Sequence, residues 1–343
     1  MKGATMLKKY HFALIFFILA LFGVPLAASA DSADFSIKKV DSAEQIHEAD
    51  FYNMLVSPQA TANLVVNINN NAQQSAEFTV RLHNGVTNDN GQVVYSKHST
   101  AKKGAPSLTD LNSATKTITI AANRSQDVTI PIIAPSTATP GIILGAIHVE
   151  KKDTKNNTAT KGAQIINHFA MEIPVVVRTM PASTPKFDLQ LQHVTLGLDT
   201  SKRPAILAKL DNNSNWVLAP LKIDTQVYRV GNSSQKYVAH YQNREMAPNS
   251  SFNSSVTPQA ILKPGKYRLM MTAKSGKQVW HFDKYFTINQ AAITKASNNA
   301  IKPPKKASSY LWIIIGFLLL LLIILYLVYK LHQKNKALKQ NAE

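Results

Sequence analysis

Residues 266–288, KYRLMMTAKSGKQVWHFDKYFTI, decide the fold class. Tyr267, Leu269, Met271 and Ala273 fall on one face of an extended segment; Trp280, Phe282, Phe286 and Ile288 fall on one face of the next. A hydrophobic period of two marks half-buried strands, and Ser275-Gly276 supplies a tight turn between them. Lys266–Lys274 and Lys277–Ile288 are therefore expected to form a β-hairpin. Upstream, Phe187–Leu196, Ala205–Leu210, Leu221–Val230, Lys236–Tyr241 and Phe252–Val256 repeat the pattern. Seven strands in about 105 residues suit an immunoglobulin-like sandwich. Trp280 fits a ligand platform or a core residue; such cores commonly bury a tryptophan, so the inside position is favoured. Trp216, which follows the turn Asn212-Asn213-Ser214-Asn215, fits either a core or a ligand platform.

Residues 31–180 carry the same period. Leu64, Val66 and Ile68 alternate with polar partners, as do Ala76, Phe78, Val80 and Leu82, and Asn69-Asn70-Asn71 separates the two runs. Asn88-Asp89-Asn90-Gly91 turns the chain into Gln92–Tyr95, a strong hairpin signal. With Thr115–Ile120, Val128–Ile133, Ile142–Glu150 and Ala163–Arg178 this makes a β domain of about eight strands. No ten-residue stretch between the chain's two ends shows a helical stripe. Pro181-Ala182-Ser183-Thr184-Pro185 is a short stiff linker, because each proline fixes φ and removes a donor. Residues 291–309 are polar, hold Pro303-Pro304, and read as an extended stem.

Both ends carry membrane signals. Lys2, Lys8 and Lys9 precede an unbroken apolar run from Phe12 to Phe22, and Ala28-Ser29-Ala30 offers a cleavage site at Ala28 and Ala30. That run is too short to span a bilayer. Tyr310–Tyr329 has 20 residues and no charge, enough for a helix to cross about 30 Å of hydrocarbon. Tyr310 and Trp312 stand at one interface, Tyr326 and Tyr329 at the other, and Lys330 opens a basic tail. The expected order is signal peptide 1–30, β domain 31–180, β-sandwich 181–290, stem 291–309, transmembrane helix 310–329 and cytoplasmic tail 330–343. The fold class is all-β: two immunoglobulin-like sandwiches in tandem, followed by one transmembrane helix. The protein is placed in the cell membrane, single-pass, with its N-terminal domains outside.

Charge supports that polarity. The chain has 38 Lys+Arg against 20 Asp+Glu, a formal charge of +18. Residues 31–180 are neutral overall, whereas residues 181–292 hold +8, the stem +4 and the tail +3. The excess is graded toward the membrane, and no aromatic-interleaved basic motif is present, so nucleic acid is not an expected partner.

Catalytic chemistry is not expected. There is no cysteine, which removes disulfides, thiolate metal sites and a cysteine nucleophile. The ten histidines form no H-E-x-x-H and no other close pair, so neither a metal nor a cofactor is anticipated. Ser233-Ser234-Gln235-Lys236, Ser251-Phe252-Asn253 and Lys274-Ser275-Gly276 imitate the three boxes of penicillin-binding proteins. That family starts a helix at its nucleophile and separates the boxes by a helical subdomain. Here the three fall close together in strands or turns.

The stretch Phe51–Ile68, with Val86-Thr87-Asn88-Asp89-Asn90-Gly91 and Pro140-Gly141-Ile142-Ile143-Leu144-Gly145-Ala146-Ile147, resembles the N-terminal domain of the WxL-interacting protein family of Gram-positive bacteria. Met246-Ala247-Pro248-Asn249-Ser250-Ser251-Phe252, Leu262-Lys263-Pro264-Gly265-Lys266-Tyr267 and Ala273-Lys274-Ser275-Gly276, running into Trp280-His281-Phe282, resemble its C-terminal module. The resemblance implies a first domain that binds peptidoglycan and a second that binds host surface or extracellular-matrix proteins. It also implies assembly with secreted WxL-domain surface proteins on the cell wall. This chain has a single W-x-L, Trp216-Val217-Leu218, so it looks like the partner of a WxL protein and not one itself. The expected function is a non-enzymatic, membrane-anchored surface scaffold. The alternative is an export-site chaperone that lends a strand to secreted clients.

Overall fold

The computed structural model describes residues 33–98, 104–152, 168–181, 183–259, 262–301 and 309–340. Ala28 and Ala30 lie outside the described residues. Nine strands fill the N-terminal part: β1 (Phe35–Val40), β2 (Tyr52–Leu55), β3 (Thr61–Asn70), β4 (Ala76–Thr87), β5 (Val93–Ser96), β6 (Lys116–Ile120), β7 (Arg124–Ile133), β8 (Ile143–Lys151) and β9 (Ala170–Arg178). β1, β3 and β7 form one sheet; the other runs β2-β9-β8-β4-β5, with β6 also on β4. Alternation decides which side chains meet between them. Leu64, Val66 and Ile68 of β3, Phe78 and Val80 of β4, and Val175 and Val177 of β9 are essentially fully buried, as period two requires. Burying each such side chain stabilises by about 1.5–3 kcal/mol.

Two strands here were not visible in the sequence. β1 carries Lys38 and Lys39 in its middle, which masks its alternation, and β2 has four residues. β2 runs parallel to β9, Tyr52 opposite Val175. Its Tyr52 reaches the other sheet: the hydroxyl accepts from Val65 N at 3.0 Å and lies 2.7 Å from Val40 O. The predicted 88–91 turn is present. Asn88 Oδ1 accepts from Asn90 N and Gln92 N at 3.0 and 3.1 Å, and Gly91 sits at φ 64°. Only glycine takes that backbone without cost.

Seven strands follow: β10 (Leu189–Leu198), β11 (Pro204–Asn212), β12 (Leu218–Arg229), β13 (Asn232–Met246), β14 (Ser251–Val256), β15 (Gly265–Ser275) and β16 (Gln278–Ile288). They form a three-stranded sheet β10-β11-β14 and a four-stranded sheet β13-β12-β15-β16. The β15–β16 hairpin pairs Ser275 with Gln278 around Gly276 at φ 56°. Tyr267, Leu269, Met271 and Ala273 are buried together. Trp280 departs from expectation: with Phe282 and Phe286 it is half-buried, because β16 is the edge of the wider sheet and the other sheet has one strand fewer.

Each sandwich fixes a strand end with a buried asparagine. Asn70 Nδ2 approaches Gln74 O, Ile120 O and Ala121 O at 2.9–3.1 Å, and its Oδ1 accepts from Ala72 N. Asn212 Nδ2 donates to Trp216 O and Ala247 O, and its Oδ1 accepts from Ser214 N and Oγ. Side-chain amides thereby satisfy backbone groups that the sheets leave unpaired.

The chain divides into two compact units. The first holds residues 1–190 with 210–221 and 243–252; the second holds 191–209, 222–242 and 253–343. In the second, the stem begins as a helix, α1 (Gln290–Asn299), and not as extended chain. Asn289 caps it by accepting from Ala292 N at 2.8 Å. Ala296 is its one buried residue, too narrow a stripe to read as amphipathic. The turn Asp199–Arg203 lies nearby: Asp199 accepts from Ser201 N, Arg203 N and Nε, and Thr257 Oγ1, and Ile301 N donates to Lys202 O. The last helix, α2 (Ser309–Gln340), is longer than the expected span, and Ile314–Asn335 is long and apolar enough to cross a membrane.

Candidate functional site

The outer face of the six-stranded sheet gathers titratable side chains on three adjacent strands. Register places Arg81 of β4 opposite His148 of β8, and His148 opposite Glu172 of β9. His83, two residues along β4, stacks on His148 with ring centroids 4.0 Å apart and planes 22° apart. Both imidazoles turn Nδ1 to Glu172 Oε1, at 3.1 Å from His83 and 2.9 Å from His148. Arg81 Nε donates to His83 Nε2 at 3.1 Å, and its Nη2 donates to Glu150 Oε2 at 2.9 Å. His83 Nε2 thus carries no proton, and Nδ1–H donates to Glu172. Burial pushes the His83 pKa down, the neighbouring His148 adds to this, and Glu172 opposes it. The ring is neutral at pH 7. Tyr95 on β5 is held above the usual phenol range by burial, with Glu172 and Glu245 adding to it.

These residues stand 65 and 24 positions apart in sequence, so spacing motifs could not find them. Their signal was the outward half of each alternating strand, where Arg81, His83, His148, Glu150 and Glu172 replace ordinary polar residues. The expectation that no histidines pair closely is corrected by this register. Gly145 makes the packing possible: a Cβ there would stand 2.2 Å from His83 O and 2.5 Å from Leu108 Cδ2.

The turns that carry the family resemblance meet elsewhere in the first unit. Thr87 Oγ1 accepts from Ala247 N at 3.0 Å and is paired with Ser250 Oγ. Ser250 spends its proton on Ala247 O at 2.7 Å, so Thr87 is the donor in that pair. Asn215 Nδ2 donates to Pro140 O, Asn249 Nδ2 donates to Asn215 Oδ1, and Ile142 N donates to Asn215 O. Glu245 N donates to Gly91 O, and Arg244 to Asn90 O. Gly141 sits at φ 113°, where a Cβ would come within 2.4 Å of Asn215 Cβ. Thr87, Ala247, Asn249 and Ser250 are buried. The turns are occupied with each other.

The outer face of the four-stranded sheet is open instead. Tyr228, Arg268 and Tyr285 lie in one row across β12, β15 and β16. Arg268 Nη1 donates to Tyr228 Oη at 2.9 Å, its Nε donates to Asp283 Oδ1 at 2.8 Å, and its guanidinium lies 5.4 Å from the Tyr285 ring centre. Asp283 is held below the usual carboxylate range by that hydrogen bond. Lys266 covers the same ring at 5.1 Å. A groove of about 410 Å³ runs beside this row, lined among others by Asp224, Gln226, Met270, Thr272 and His281. Tyr and Arg are enriched among the few residues that carry most of the binding energy in protein interfaces.

Of the sequence-predicted residues, Tyr310, Trp312, Tyr326, Tyr329 and Lys330 all lie in α2. Tyr326 and Tyr329 are exposed, and Tyr329 Oη accepts from Gln333 Nε2 at 2.7 Å. Trp216 is half-buried. The three penicillin-binding-like boxes begin on β13, β14 and the end of β15, and Ser233 starts no helix.

No curated protein matches the chain. Similar solved structures include a chaperone–tip adhesin complex of CFA/I fimbriae (10% identical, 74% of this chain and 98% of that one, TM-score 0.28). Another is the CsuC–CsuE chaperone–tip adhesion subunit pre-assembly complex of Acinetobacter baumannii (12% identical, 73% and 98%, TM-score 0.30). A third is a PapD-like domain of human CEP192 (12% identical, 47% and 94%, TM-score 0.26). Residues 35–151 match the WxL Interacting Protein peptidoglycan binding domain, and residues 160–298 match the WxL Interacting Protein host binding domain. Both modules occur in the order anticipated from sequence, and the chain belongs to the WxL-interacting protein family.

Proposed function

We propose that this protein is a non-enzymatic surface scaffold, anchored by one membrane span, that binds peptidoglycan through residues 31–180 and protein partners through residues 181–290. The carrying observation is the tandem of peptidoglycan-binding and host-binding modules, followed by an apolar helix long enough to cross a membrane. The protein partners are WxL-domain surface proteins and host matrix proteins, met by the Tyr228–Arg268–Tyr285 face. Anchoring is supported by α2, whose apolar side chains are exposed from Ile314 to Leu331. Soluble proteins rarely leave so large an apolar surface uncovered. Within this helix the 20 uncharged residues Tyr310–Tyr329 extend about 30 Å, the thickness of the hydrocarbon layer. Tyr310 and Trp312 mark the outer interface, Tyr326, Tyr329 and Lys330 the inner one, and cleavage at Ala28-Ser29-Ala30 leaves the N-terminal domains outside.

Crosslinking mass spectrometry on intact cells tests this. Crosslinks from residues 181–290 to WxL-domain proteins, with retention of the chain on purified peptidoglycan, are expected. Finding neither peptidoglycan retention nor any WxL-domain partner would refute it, and crosslinks spread over many unfolded exported clients would favour the chaperone.

A further inference from the structure

We infer that His83, His148 and Glu172 bind one divalent transition-metal ion of the zinc class. Each offers one ligand atom, and the three atoms lie within 4.8 Å of one another. Around a tetrahedral zinc, ligand bonds of about 2.0–2.2 Å put neighbouring ligand atoms about 3.3–3.5 Å apart. The 3.1 and 2.9 Å separations from Glu172 Oε1 to the two Nδ1 atoms need to open by only a few tenths of an ångström. Two imidazoles and one carboxylate suit zinc and its neighbours; calcium and magnesium take oxygen alone. The donors stand on three hydrogen-bonded strands, so the backbone needs no rearrangement to bring them together.

The surroundings fit as well. When His148 ligates through Nδ1, its proton moves to Nε2, and Glu150 Oε2 stands 3.8 Å from that nitrogen. A carboxylate behind a ligating histidine fixes its tautomer and raises its basicity. Glu172 is the exposed member of the three, so the fourth coordination position faces solvent, open to water or to a carboxylate or phosphate oxygen. Arg81 opposes loading. Its Nε–H now meets the bare His83 Nε2, and metal on Nδ1 would place the imidazole proton there instead. The guanidinium must swing aside on its existing bond to Glu150. Arg81 is therefore a brake on affinity.

The test uses tag-free full-length chain in detergent micelles, stripped with chelator and titrated with Zn²⁺ and Co²⁺. One equivalent is expected, with Co²⁺ giving the visible absorption of a low-coordinate nitrogen–oxygen site. Glu172→Gln, the exposed and conservative change, weakens Zn²⁺ binding at least tenfold, and His148→Ala does the same. Glu150→Gln weakens it by about 10-fold through the ligating imidazole. Arg81→Gln tightens it. Absence of a Co²⁺ spectrum, or Zn²⁺ affinity unchanged in Glu172→Gln with wild-type circular dichroism, would overturn the assignment. The readout is the metal alone and does not depend on whether residues 31–180 bind peptidoglycan.

Discussion

Replacing Thr87 by valine tests whether the turns that carry the family pattern serve the fold or a ligand. Valine keeps the branched shape and removes the hydroxyl, which accepts from Ala247 N at 3.0 Å and donates to Ser250 Oγ. Ala247 is fully buried, so its N–H has no water to turn to. Ser250 keeps its own bond to Ala247 O. An unsatisfied buried donor costs about 1–3 kcal/mol, and about 2 kcal/mol is the expected loss. That is roughly a 30-fold rise in local opening, or about 4–8 °C in Tm for a unit of this size. Thermal melts of the full chain in micelles, with hydrogen–deuterium exchange across residues 243–252, measure both. Thr87→Ser restores the hydroxyl and loses a methyl, so it should cost about 1 kcal/mol or less. A Thr87→Val protein that melts with wild type would refute the argument. So would a Thr87→Ser protein that falls equally far, since the hydroxyl would then not be what holds the junction.

Four further outcomes follow from the same geometry. Gly141→Ala combines a left-handed φ with a backbone clash on Asn215 and should cost about 3 kcal/mol or more, read as a lower melting temperature. Asp199→Asn should cost about 2 kcal/mol near neutral pH, because a buried carboxylate loses charge-assisted bonds from Arg203 and Thr257. Burial raises the Asp199 pKa, but those donors outweigh it and hold it below 3.8; its stabilisation is therefore full above that pH and lost as pH falls through the lower folded value, so the two proteins should converge in acid melts. Arg268→Ala should weaken capture of protein partners at least tenfold and leave peptidoglycan retention unchanged in pulldown. Removal of residues 309–343 should release the chain from the membrane fraction into the medium, scored by immunoblot.

Much of this fold was legible because alternation is local. Leu64, Val66 and Ile68 announce β3 without any knowledge of β1 or β7, and Gly276 announces its hairpin from two residues. β2 was not legible, since four residues hold too little pattern, and what fixes it is Tyr52 reaching across to Val65 and Val40. α1 was not legible because burial of Ala296 alone leaves no stripe. Trp280 was misplaced because hydrophobicity says which face a side chain takes, not whether the strand ends up at an edge. The histidine cluster depends on the offset between β4, β8 and β9, which no single segment encodes.

The same distinction bears on where the proposed partners would bind. The motif residues Thr87, Asn249 and Ser250, with Asn215 of the neighbouring turn, spend their hydrogen-bonding groups inside the first unit. A buried hydroxyl with both bonds filled has nothing left to offer a partner. Sheet faces are different, because period two sets every second side chain outward in a row that a flat ligand can meet. The rows here are chemically unlike. Residues 31–180 are neutral overall and carry two largely buried imidazoles on the exposed Glu172; residues 181–292 hold +8 and present Arg268 and Lys266 against tyrosine rings. Exposed cations lose their reach beyond about 8–10 Å in physiological salt. Contacts made by the second row should therefore weaken as salt rises, while those of the first should not. Equal salt sensitivity of peptidoglycan retention and partner capture would mean that the two rows do not divide the work.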